Sequence, residues 1–146
     1  MRELPRQLSV DELAELFEGR TRFVERLAEE ERPLDRAFTL VHELPDDEKV
    51  EILAAHPTIG QRSGLSARSA AEQGGDADPE VLADLARLNA EFEARHGFRF
   101  VVFVNQRPKS EILDVLRERI DRPTEHELET ALDELVAIAI DRWRTG

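Results

Sequence analysis

The chain has 146 residues, one domain at roughly 150 residues per domain, with 32 acidic against 20 basic residues and a formal net charge of −12. That acidity excludes a nucleic-acid or anionic-membrane partner, which needs a basic face, while 40% apolar residues suffice for a folded core. The absence of cysteine excludes disulfides, thiolate nucleophiles and zinc-thiolate sites; no apolar run approaches the roughly 20 residues of a membrane span, and neither terminus carries a targeting signal, so the expected location is the cytoplasm.

Helical signals dominate in chain order. Ser9-Val10-Asp11-Glu12 is a capping box, followed by Val10, Leu13, Leu16 and Phe17 at helical spacing, with Gly19 suited to a C-terminal cap. Phe23, Val24 and Leu27 predict a second short helix. Leu34, Ala37, Phe38, Val41 and Leu44 predict a third, stopped before Pro45. Asp46, Asp47 and Glu48 place acids in the first turn of a fourth, which runs through Val50, Ile52 and Leu53 to His56. A loop rich in glycine and serine follows, and Ser66 can cap a short helix carrying Ser69, Glu72 and Gln73. Pro79 opens a long helix with Val81, Leu85, Leu88 and Phe92 on one stripe, ended at Gly97. Lys109 to Ile120 forms another, and Thr124-Glu125-His126-Glu127 reads as a second capping box opening the last.

One segment breaks the pattern. Phe98 to Val104 is apolar, β-branched and aromatic, and reads as extended. With no second strand to pair it, it is expected as a buried connection inside a helical bundle, its backbone groups needing partners other than a sheet. A ligand could supply some of them. The expected fold is therefore all-α: a single-domain bundle of about seven to eight helices with one short extended segment near 98–104.

Among four histidines, His42, His96 and His126 read as structural: His42 within a helix, His96 at a helix end favoured by the dipole, His126 in an acidic first turn. His56 differs. Pro57 biases it towards extended backbone and so turns the imidazole off the helix axis, where it can exchange protons near neutral pH. The bland alternative is a histidine bonding the last carbonyls of its helix. Ser69 and Glu72 share a helix face and, with Gln73, could orient a histidine and bind ureido or amide groups; a solvated helix face is the alternative. No zinc motif, phosphate-cradling glycine loop or nucleophile elbow is present in the sequence.

Three runs then stand in order: Ala55-His56-Pro57-x-Ile59-Gly60, Leu65-Ser66-x-x-Ser69-x-x-Glu72-Gln73, and Leu88-Asn89-x-x-Phe92-Glu93-x-Arg95-x-Gly97-Phe98-x-Phe100-Val101. Together with Ile112-Leu113, Arg119 and Glu129-x-Ala131-Leu132-x-Glu134-Leu135-x-x-Ile138, they resemble the 2-oxo-4-hydroxy-4-carboxy-5-ureidoimidazoline (OHCU) decarboxylase family across nearly the whole of residues 1–146. The resemblance implies an all-α carboxy-lyase, usually homodimeric and without a cofactor or metal, that decarboxylates OHCU to (S)-allantoin at the end of urate breakdown in purine metabolism. It places the catalytic pair on His56 and Glu72. It places substrate binding on Pro57, on Ser69, Ala70, Ala71, Glu72 and Gln73, and on Phe100, Val101, Val102, Phe103 and Val104. In that reading Glu72 orients His56 and raises its pKa. Three places depart from the family pattern: a shorter loop between Gly60 and Leu65, Asn105-Gln106-Arg107-Pro108 in place of a glycine-containing turn, and His96-Gly97-Phe98-Arg99-Phe100, where the family has an aromatic and often a proline. The first of these keeps a paralogue acting on a related ureido or imidazolone acid as an alternative. An acidic helical interaction module is the alternative from another class. Locally the chain is not acidic everywhere: Arg95, Arg99, Arg107 and Lys109 fall in one run without an acid, where a carboxylate substrate can be met.

Overall fold

A computed structural model describes residues 3–57 and 78–145, and these form seven helices and no strand. They are α1 (Val10–Phe17), α2 (Arg22–Leu27), α3 (Pro33–His42), α4 (Asp46–Ala54), α5 (Pro79–His96), α6 (Lys109–Ile120) and α7 (Thr124–Thr145). The all-helical expectation holds. The helix expected around Ser69 to Gln73 lies outside the described residues.

The first capping box forms as expected: the Ser9 hydroxyl accepts from the Glu12 N–H at 3.1 Å and Glu12 accepts from the Ser9 N–H at 3.0 Å. The C-terminal cap does not form where expected. Glu18, not Gly19, takes the left-handed conformation (φ 64°), because its carboxylate is needed by Arg142 of α7 at 2.9 Å. Gly19 lies against Ala55, the residue before Pro57's neighbour His56, where an added Cβ would sit 3.6 Å from the Ala55 Cβ.

The long α7 is the central post. It packs against α1, α3, α4 and α5, and its Ala131, Leu132, Leu135, Val136 and Ala139 are fully buried. These residues recur at helical spacing, and Leu128 at the start of the same face is partly buried. Two of the apolar residues that marked helices lie outside the core: Phe38 on α3 is 41% exposed and Val50 on α4 is 38% exposed. The second capping box is also overturned. Thr124 is the first helical residue and its hydroxyl contacts His96, while Glu127 is buried against Arg119 at 2.7 Å. Both side chains are drawn away by tertiary partners that no local pattern reveals.

Gly97 (φ 80°) ends α5 and turns the chain into the segment 98–104, which is extended and pairs with no other strand among the described residues. Phe98, Phe100, Val101, Val102 and Val104 are buried. Phe92 of α5 anchors the segment edge-on, its ring 5.7 Å from Phe98 and 5.3 Å from Phe100. The backbone groups of the segment are met by side chains in place of a ladder. Arg119 donates to the Val101 carbonyl at 3.0 Å and stacks over Phe100 at 4.7 Å. Arg107 donates to the carbonyls of Phe103 at 2.6 Å and Val104 at 3.1 Å. Glu134 of α7 accepts from the Phe103 N–H; burial pushes its carboxyl above the ordinary range, against the lowering influence of that bond and of Arg119 and Arg107.

Candidate active site

Helix α4 stops at Ala54, two residues before the expected end at His56. The last carbonyls of a helix need partners from outside it. Here Arg99, from the extended segment, reaches across and donates through Nη1 to the carbonyls of Ala54 (3.0 Å) and His56. The His56 N–H bonds to Leu53 O at 3.2 Å, and Pro57 follows. His56 is thus held in a turn off the helix end with its side chain inside the protein.

That side chain is 4% exposed, and its Nε2 has no hydrogen-bond partner among the described residues. A buried polar atom without a partner costs roughly 1–3 kcal/mol and calls for an explanation. The surroundings add positive charge. Arg142 of α7 is 2% exposed and donates to Leu16 O at 3.0 Å and to Glu18. Burial, with Arg142 and Arg99 nearby, pushes the His56 pKa down from 6.5 to about 4, against the opposing pull of Glu18. The imidazole is therefore neutral at physiological pH.

The expected residues fall into three groups. His56 and Pro57 lie at the end of α4, in contact with the extended segment through Arg99. Ser69, Ala70, Ala71, Glu72 and Gln73 lie outside the described residues; among the described groups, burial, Arg142 and Arg99 lower the His56 pKa and Glu18 raises it. Phe100, Val101, Val102 and Val104 direct their side chains into the core, so any contact they make with a small polar ligand is through the backbone. Part of that backbone is already taken, since Arg119, Arg107 and Glu134 hold polar groups of Val101, Phe103 and Val104. Phe103 is half-buried and faces a groove lined by Leu34, Phe38 and Ile140.

Two residues beside His56 were missed by sequence reasoning, Glu18 and Arg142, while Arg99 stood out only as a member of a basic run and not as a partner of His56. Glu18 and Arg142 are 124 residues apart in the chain. The one available signal was Arg142 itself, an arginine on the inward stripe of α7 three residues after Ala139.

Two of the other histidines are held by partners on distant elements. His42 is the last residue of α3, not mid-helix, and its Nε2 meets Asp133 at 2.7 Å on a half-exposed face. His96 has both ring nitrogens bonded, Nε2 donating to Ile120 O at 3.0 Å and Nδ1 accepting from the Thr124 hydroxyl at 2.7 Å. Among the described residues, no group of histidines and carboxylates is arranged to hold a metal ion, and no helix is long and apolar enough to cross a membrane.

The chain is similar to known proteins in sequence and in fold. The chain is 30% identical over 142 residues to the 2-oxo-4-hydroxy-4-carboxy-5-ureidoimidazoline decarboxylase of Haloferax volcanii, covering 89% of this chain and 83% of that protein. It is 34% identical over 109 residues to the putative human decarboxylase of the same name, covering 69% of this chain and 63% of the human protein. In fold it matches a crystal structure of OHCU decarboxylase in the presence of (S)-allantoin, with a TM-score of 0.73 and 22% identity over 90% of this chain and 94% of that one. The family model for OHCU decarboxylase matches residues 2–144, and the chain belongs to the OHCU decarboxylase family.

Proposed function

We propose that this protein decarboxylates OHCU to (S)-allantoin in urate degradation, with residues 1–146 acting as one catalytic domain. The observation that carries the chemistry is His56: a buried, neutral imidazole whose Nε2 has no partner among the described residues, beside two arginines. The family membership supplies the substrate class.

The substrate carries a carboxylate and a hydroxyl on one ring carbon, next to an imine carbon that bears the ureido group. Loss of CO2 sends the electron pair of the breaking C–C bond into the imine, whose nitrogen takes up a proton. The hydroxyl proton is then lost and the ureido-bearing carbon is protonated, so that one proton is consumed overall. His56 performs the exchange, taking the hydroxyl proton and delivering a proton to carbon from one face. The positive field of Arg142 and Arg99 favours both parts. It attracts the substrate carboxylate, whose charge in turn raises the proton affinity of His56 towards the working range. It also makes the transient imidazolium a strong acid, ready to release its proton to carbon. Glu72, Ser69 and Gln73 complete the proposed site with Pro57 and the backbone of Phe100 to Val104. Holding the substrate in one orientation supplies the larger part of the rate gain.

OHCU generated from urate decarboxylates slowly by itself to racemic allantoin. Added protein should accelerate the loss of OHCU and produce a circular dichroism signal of one sign; racemic product at the spontaneous rate would refute the assignment. A cytoplasmic homodimer belongs to the same proposal. Light scattering of the purified protein tests the dimer, and a monomeric mass would remove it.

A further inference from the structure

Arg99 makes more of the site than its distance along the chain from His56 suggests. Its Nη1 bonds both Ala54 O and His56 O, the two carbonyls that flank the end of α4. Its Nε is held by Glu93 of α5 at 3.2 Å. The left-handed turn at Gly97 folds the chain back so that Arg99 and Glu93, six residues apart, meet. One guanidinium therefore ties three elements together: the end of α4, the end of α5 and the start of the extended segment. With its N–H on Leu53 and its carbonyl on Arg99, His56 is pinned on both sides of its own backbone, and what remains free is the rotation of the imidazole.

We propose that Arg99 is a positioning residue for His56, fixing the backbone on which the imidazole turns and keeping a positive charge close beside it. This rests on the proposed role of His56. The charge separates it from a simple brace. Among the described residues, the charged groups that act on His56 are Arg99 from the extended segment, Arg142 from α7 and Glu18 from the end of α1. Arg99 is the member of this set that also bonds the His56 backbone.

The test uses Arg99→Met, which removes the charge and both bonds, and Arg99→Lys, which keeps the charge. The titration of His56 is followed by NMR, its signals identified by their loss in His56→Asn, and kcat and KM are measured with OHCU. Arg99→Met should raise the His56 pKa above its native value of about 4 and lower kcat by about 10–100-fold, a larger change than the rise in KM that follows from losing one charge near the substrate carboxylate. Arg99→Lys should restore the titration and part of kcat. A folded Arg99→Met protein with native titration and native kcat overturns the proposal. So does a variant that loses thermal stability and activity together while His56 titrates as before, since that is a brace alone. If Arg99→Met does not fold, Arg99→Lys and, in a separate protein that retains Arg99, Glu93→Gln carry the test: the second loosens the guanidinium, and each should lower kcat by more than it raises KM; native kinetics in both would overturn the proposal. The titration needs no substrate, so it decides the role of Arg99 even if the native protein fails to turn over OHCU.

Discussion

His56 and His96 are both buried histidines near a helix C-terminus, 4% and 6% exposed, and both lie against the extended segment or the elements that hold it. They differ in what surrounds the ring. His96 packs 4.5 Å from Phe92 and gives both nitrogens to fixed partners, so its burial is fully compensated. His56 has no partner for Nε2 among the described residues and faces positive charge, so its burial is a cost that the fold supports. Burial does not mark a reactive histidine. An unmet ring nitrogen among groups that shift its proton affinity does.

The largest contrast should come from replacing each ring. His56→Asn should reduce turnover of OHCU by about 10²–10⁴-fold, the span of general acid–base catalysis, while unfolding in urea at nearly the native midpoint. Native turnover in that variant would take His56 out of the mechanism. Next comes the ion pair behind Arg119, which holds the extended segment through the Val101 carbonyl. Arg119 and Glu127 are 4% and 0% exposed at the side chain, and Arg119→Met leaves a buried carboxylate, at a cost of about 3–5 kcal/mol. Urea unfolding reads this directly, and a loss below 1 kcal/mol would show that the Glu127 charge is met in another way.

A third effect lies in pH. His56 titrates near 6.5 when unfolded and about 4 when folded, so between these values the unfolded chain binds the extra proton. Its contribution makes stability greatest above pH 6.5 and falling as the pH drops towards 4, by on the order of 3 kcal/mol across the window. Unfolding measured from pH 4 to 7.5 should show this slope in the native protein and less of it in His56→Asn; equal slopes would mean that His56 is not held neutral by the fold. The smallest effect belongs to His96→Ala. It strands the Ile120 carbonyl and the Thr124 hydroxyl at about 1–3 kcal/mol, with the activity of each folded molecule unchanged. A fall in kcat larger than the loss of stability would dissolve the contrast between the two rings.

Much of this was visible in the residues themselves. Ser9 and Glu12 cap α1 because both partners lie within one helical turn. The stripe on α7 follows from helical spacing alone, and the run from Phe98 to Val104 is extended because its side chains favour that backbone and no second strand competes for it. His56 stood out through Pro57, which bars the helix from continuing. What sequence reasoning could not place was any side chain whose partner is remote. Thr124 and Glu127 looked like a cap and instead serve His96 and Arg119; Glu18 takes the strained position next to a glycine because Arg142 binds it.

The sequence by itself therefore determined the helices, their inward faces, the one extended run and the histidine at its helix end, since each depends on residues within a turn or two of one another. The tertiary structure alone decided the state of that histidine. Its neutrality and its tether come from burial and from Arg142, Glu18 and Arg99, on three elements brought together by packing, and electrostatic influence depends on distance in space rather than on position in the chain.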